Sequence, residues 1–175
     1  MPMDIASFVE TLAGKWFSQR TTHYLASQSS KAGQSNLLLE FLSATDANLV
    51  QFCEAQGQGM SGLACGLKVN QDSRMDGDTQ TIQGTTWMAF FQPADSGQGI
   101  LLQGSLPGTA AKGEYRLENE VLSFITQTPD GTVEERLWFV NPNLRMRTSV
   151  FKVGDAEQMA SFCSEIRMGG APAKG

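Results

Sequence analysis

The sequence predicts a mainly-β fold, an antiparallel up-and-down barrel or sandwich, on three observations. Helical periodicity is confined to two short stretches near the N-terminus. Short β-type runs broken by turn residues then recur to the end of the chain, and 18 glycines in 175 residues suit a chain that turns often. This length favours one domain with a real core, which we assign to residues 1–168. Residues 169–175 contain only Gly, Ala, Pro and Lys and read as a disordered tail. Apolar residues make up 41% and charged residues 18%, so the solvated surface must rest on Ser, Thr, Gln and Asn more than on ion pairs.

Asp4 precedes Ile5, Phe8, Val9 and Leu12, apolar at helical spacing, and Gly14 follows as a stop, which predicts a short N-terminal helix. Residues 16–27 lose that stripe and gain Thr, Tyr and aromatics, a first strand closed by a Ser/Gly-rich loop over 27–35. A second strand spans 36–42. Asp46 then caps a second helix, near 46–56, with Leu49, Val50 and Cys53 on one side and Gly57 and Gly59 beyond. Further strands are predicted at 63–70, 85–92, 100–105, 114–117, 121–128, 133–140, 144–153 and 159–168, about ten in all. The gaps at 118–120, 129–132 and 141–143 are short enough for hairpins, so sequence neighbours pair in space.

Composition excludes several function classes. A net charge of -5 and a pI near 4.8, without a Lys/Arg run, oppose a nucleic-acid partner. The N-terminus lacks a basic region and no apolar run reaches 18 residues, so neither export nor a membrane span is expected; a location in the cytosol or plastid stroma follows. Cys53, Cys65 and Cys163 are odd in number and lack CxxC spacing, which reads as buried free thiols. One histidine, His23, gives a metal site or a Ser/His triad nothing to build on, and no metal is expected. Asp76 and Asp78 lie in a loop over 72–84 without the ligand count of a calcium loop.

Gly14-Lys15-Trp16 stands where helix meets strand, and a G-x-W there resembles the lipocalin-like signature. In that signature the tryptophan closes the barrel floor under an arginine of the last strand, for which Arg167 is the candidate. The hairpin over 133–153 is more informative. If Val140 faces Leu144, then Phe139 faces Arg145, Leu137 faces Arg147 and Glu135 faces Ser149. One face then collects Glu135, Leu137, Phe139, Arg145, Arg147 and Ser149, and the other Arg136, Trp138, Met146, Thr148 and Val150. Periodicity alone allows either to be the interior. Arginines two apart on a strand form a double fork suited to a pair of carboxylates on one ligand, or else a solvated face with a Glu–Arg pair. Arg20 and Glu165 join them if first and last strands meet in a closed barrel.

Four blocks, Gly14-Lys15-Trp16-Phe17-Ser18-Gln19-Arg20-Thr21, Glu135-Arg136-Leu137-Trp138-Phe139, Pro142-Asn143-Leu144-Arg145-Met146-Arg147-Thr148-Ser149 and Ala160-Ser161-Phe162-Cys163-Ser164-Glu165-Ile166-Arg167-Met168, resemble those of the S-type phycobiliprotein lyases, in the same order. The resemblance implies a ten-stranded lipocalin-like barrel that binds a linear tetrapyrrole and promotes its thioether attachment to a cysteine of an apo-phycobiliprotein subunit. It turns Glu135, Arg145, Arg147, Ser149, Arg20 and Glu165 toward the pigment. A phycobilin of phycocyanobilin or phycoerythrobilin type, bound as substrate, carries two propionates, an apolar frame and pyrrole N–H groups. Arg145, Arg147 and Arg20 then become propionate anchors, Glu135 and Glu165 catalytic carboxylates at the pyrrole nitrogens, and Trp138, Phe139 and Trp87 aromatic walls.

The resemblance also implies a homodimer, or a heterodimer with a homologous lyase, and no direct role for the cysteines. One departure stands out. Many family members carry tryptophans in a W-x-G-T-M-D-W-D pattern after the third strand, where this chain has Asn70 and Gly77. That departure leaves open a weakly pigment-binding partner subunit of a heteromeric lyase. The barrel leaves open a passive bilin carrier.

Overall fold

The computed structural model describes residues 3–59, 61–105, 108 and 110–169. The expected tail, Gly169 apart, lies outside the described residues. Helix α1 (Ile5–Leu12) is followed by strands β1 (Gly14–Tyr24) and β2 (Ser29–Ser43), helix α2 (Ala47–Ala55), and strands β3 (Leu63–Met75), β4 (Ile82–Phe91), β5 (Gln98–Gly104), β6 (Ala110–Glu118), β7 (Val121–Thr128), β8 (Gly131–Asn141), β9 (Leu144–Val153) and β10 (Ala156–Met168). The strands form one closed antiparallel barrel in which β1 pairs with both β2 and β10. Of the two β architectures compatible with the sequence, it is the barrel.

The helices form where capping and apolar spacing coincide. The Asp4 carboxylate accepts the Ser7 N–H at 2.7 Å, and the helix it starts buries Ile5, Phe8, Val9 and Leu12 in one end of the barrel, the floor. Each such side chain contributes about 1.5–3 kcal/mol. Asp46 caps α2 through the N–H groups of Asn48 and Leu49. This helix lies outside the barrel, where Leu49, Phe52 and Cys53 form a separate cluster with Trp87, Ala89, Phe91 and Leu102. The Leu49 side chain fills the space over Gly66, where a Cβ would lie 2.4 Å from its Cδ1.

The main departures from expectation are strands that run further into polar sequence. β2 starts at Ser29, inside the predicted loop over 27–35, and β3 continues to Met75, so the loop expected over 72–84 shrinks to 76–81. Both extensions pair with each other, Gly33 facing Met75 and Ser35 facing Ser73, whose hydroxyls lie 2.7 Å apart. With β1 on the far side of β2 and β4 on the far side of β3, most of this backbone is paired without apolar side chains. Pairing with the preceding strand likewise carries β6 back to Ala110, opposite Gly104, and β10 back to Ala156, opposite Val153.

Gly14 does not end the helix, which is closed by Ala13; it begins β1 with φ +126. A Cβ there would lie 2.7 Å from Arg167 Nη1, so both conformation and space demand glycine. Gly14→Ala is expected to destabilise the fold by about 2 kcal/mol or more. A denaturant melt showing an unchanged midpoint would refute this account of the helix–strand junction.

Candidate functional site

Side chains alternate along a strand, so the pairing register stacks the inward residues of β1, β10, β9 and β8 into rows. Above Trp16 and Arg167 at the floor comes Ser18, Glu165, Arg145 and Phe139, then Arg20, Cys163, Arg147 and Leu137, then Thr22, Ser161, Ser149 and Glu135. Leu137 and Phe139 pack in the main core, which fixes this face as the interior. Three of the four predicted cross-strand pairs form as expected: Phe139 with Arg145, Leu137 with Arg147 and Glu135 with Ser149. The fourth does not, since Asn141 and not Val140 faces Leu144. The Asn141 Oδ1 accepts the Asn143 N–H at 2.9 Å, which tightens the turn, and the ladder shifts between Phe139 and Asn141 to absorb the extra residue.

At the floor, Trp16 Nε1 donates to the Leu12 carbonyl at 3.0 Å while two guanidiniums lie over its ring, Arg145 at 4.0 Å and Arg167 at 4.3 Å. Arg167 is the arginine the G-x-W signature predicts. It also donates to the carbonyls of Thr11, Ala13 and Pro142, and Arg145 donates to that of Leu12 at 3.2 Å. The unpaired carbonyls at the end of α1 are thus met by cations.

Arg145 Nε donates to Glu165 Oε1 at 2.7 Å, and Arg147 Nη2 donates to Glu165 Oε2 at 3.3 Å. Arg145 is 2% exposed and Glu165 0%, against 25% for Arg147. The two arginines predicted as an equivalent fork therefore differ. Arg145 is spent on Glu165, Leu12 and Trp16, whereas Arg147 keeps a buried Nε without a partner among the described residues. Arg147 Nη2 also reaches Cys163 Sγ at 3.8 Å, and Arg20 Nε reaches the same sulfur at 3.4 Å. Sequence reasoning misses the pairing of Arg145 with Trp16, because its signal, an arginine one cross-strand step from the last strand, requires the register of three strands.

Burial alone would push Glu165 up, but Arg147, Arg145 and a hydrogen bond from Ser18 hold it below the usual carboxylate range. Glu135 goes the other way. Its burial pushes it up, and Arg147 and Arg20 only partly offset that. Burial pulls Arg145 down to about 10 despite Glu165, while Glu165 and Glu135 outweigh burial at Arg147 and push it up. The inner wall thus holds one locked carboxylate and one that resists ionisation.

Glu135, Leu137, Arg145 and Arg147 line an internal cavity of about 110 Å³, whose other walls include Leu37, Leu67, Met88 and Phe124. A larger groove of about 690 Å³ lies on the outer wall, along Lys15, Leu38, Asn70, Asp72 and Thr85, away from the charged rows. Two expected wall residues are not brought to the interior. Trp87 faces out under α2, stacked on Phe52 at 6.5 Å with Lys68 over its ring, and Trp138 alternates outward between Leu137 and Phe139. Phe139 is inside but at the floor, 6.0 Å from Phe8 and from Trp16. All three cysteines are buried and free, as expected.

These features define a lipocalin-like barrel with a helix-plugged floor and an arginine-bearing inner wall. The chain belongs to the CpeS-like protein family, which it matches over residues 4–168. It is 38% identical over 175 residues to "Chromophore lyase CpcS/CpeS" of Thermosynechococcus vestitus, covering 95% of this chain and 94% of the relative. It is 33% identical over 175 residues to "Phycocyanobilin lyase subunit CpcS" of a Picosynechococcus strain, covering 97% and 88%. Among solved structures, the S-type phycobiliprotein lyase CPES from Guillardia theta superposes with a TM-score of 0.81 at 24% identity, covering 96% and 94%, a likeness of fold.

Removing the Glu165 charge leaves two guanidiniums uncompensated, so Glu165→Gln is expected to cost about 3–5 kcal/mol in a denaturant titration. A loss below about 1 kcal/mol would remove Glu165 from this role. The pH dependence has two limbs around the ordinary carboxylate value of 4.5. Stability from Glu165 is present above that value and lost as pH falls through its lowered one. Stability from Glu135 is present below 4.5 and lost as pH rises through its raised one. Denaturant midpoints measured against pH should lose the acid limb in Glu165→Gln and the other limb in Glu135→Gln.

Proposed function

We propose that this chain is a bilin lyase, which binds a linear tetrapyrrole in its barrel and promotes its thioether attachment to a cysteine of an apo-phycobiliprotein subunit. The observation that carries this reading is membership of the CpeS-like family over nearly the whole chain, with relatives named chromophore lyases. The chemistry of the inner wall agrees with it. Arg147, with an unspent Nε, and Arg20 are the propionate anchors, and Ser149 lies one row above them. Arg145 and Glu165 hold the wall in shape through their ion pair, and Arg145 also lines the cavity. Glu135, which burial pushes up, lines the cavity where its carboxyl can hydrogen-bond the pigment.

A drug-sized ligand needs about 300 Å³ or more, so the 110 Å³ cavity holds part of a tetrapyrrole. The pigment therefore runs on from it past Glu135 and Ser149, with its reactive ethylidene shielded until the acceptor thiol adds across that double bond. The sulfur–carbon bond forms, the thiol proton passes to the pigment, and no group leaves. The protein's contribution is placement and electrostatic preorganisation, with no covalent bond to its own residues. Trp87 and Trp138, both outside, take no part. Among the described residues no helix is long and apolar enough to cross a membrane, and we place the protein in the cytosol or stroma, working as a homodimer or with a homologous subunit. We assign the working domain to residues 1–168.

Co-expression with an apo-phycobiliprotein subunit and a bilin supply is expected to yield pigment that survives denaturation. Arg147→Gln should lower that yield about tenfold or more while Trp138→Phe leaves it unchanged. Absence of covalent pigment, with or without a homologous partner chain, would refute the lyase reading; pigment bound only non-covalently would favour a carrier.

A further inference from the structure

Arg20, Cys163 and Arg147 lie side by side in one inward row on three adjacent strands. Two guanidiniums held this close repel, and each needs an acceptor to fix its direction. Arg147 has Glu165 on one side. Among the described residues the Arg20 guanidinium bonds to Cys163 alone, at 3.4 Å, and the same sulfur takes the Arg147 Nη2 at 3.8 Å. Cys163 is 3% exposed and lies between the two arginines, a position for holding them and not for meeting a ligand.

We propose that Cys163 is a positioning residue, whose thiol sulfur is the shared acceptor that sets the spread of Arg20 and Arg147 and so matches them to a dicarboxylate. This rests on the pigment-binding reading above and assigns a role to a thiol that reads from the sequence as inert. Three properties favour it. The sulfur is central in the row, so one atom reaches both neighbours. It is large and polarisable, and accepts at distances longer than oxygen does, which keeps the two cations further apart. It also lies one row above Glu165, so the Arg147 Nη2 has an acceptor in each of two rows, Glu165 Oε2 at 3.3 Å and Cys163 Sγ at 3.8 Å.

The test uses biliverdin and its dimethyl ester as probes of the full chain, with affinity read from the visible absorption change. Wild-type protein is expected to bind the diacid more tightly than the ester. Cys163→Ala and Cys163→Val, the second preserving side-chain bulk without an acceptor, should bind the diacid about tenfold more weakly and the ester as before. Cys163→Ser, which restores an acceptor, should recover most of the diacid affinity, with near-UV circular dichroism confirming the fold in each. Diacid binding unchanged in both Ala and Val variants, or equal losses for diacid and ester, would overturn the proposal. Wild-type protein that binds neither probe would overturn the pigment reading and this inference with it.

Discussion

The stack of Arg145 on Trp16, tied to Glu165 behind it and to the end of α1 below, is the contact on which the rest of the molecule depends. It joins residues from β1, β9 and β10 and the C-terminus of α1, the places where a single sheet becomes a closed tube with a floor. A buried ion pair of this kind gains little over an apolar core of the same volume, since desolvation offsets most of the attraction. Its value lies in geometry. Arginine can stack, donate to a helix carbonyl and pair with a carboxylate at once, and no aliphatic side chain does all three.

Using Arg145 in this way divides the inner wall into two functions. The lower row is neutralised and packed, and carries Phe139 against Phe8 and Trp16. The row above it retains charge that the protein itself does not fully consume. A dianion entering the barrel thus meets positive groups only beyond the sealed floor, which sets how deep its carboxylates travel.

Much of this is legible in the sequence. The two helices follow from Asp4 and Asp46 with their apolar spacing, and the alternation in 133–153 is enough by itself to specify three cross-strand pairs. What is illegible shares one cause. The polar stretches 29–35 and 70–75 are strands because adjacent strands pair with them, and no local pattern reports that. Arg145 and Arg147 are identical in local sequence terms and differ only by which row each occupies above the floor. Trp87 carries the same ambiguity: an aromatic in a strand reads as an inner wall, yet α2 outside the barrel claims it, and that packing is a property of the tertiary fold.

A sheet whose first strand is paired with its last has no edge strand. Neighbouring proteins are thereby denied the commonest way of joining a β structure, which is to add a strand to it. Whatever docks on this molecule must recognise side chains on the tube's outer surface or the loops at its rim. Contact with another protein is thereby left to side-chain shape and charge, with little of the sheet's own backbone to offer.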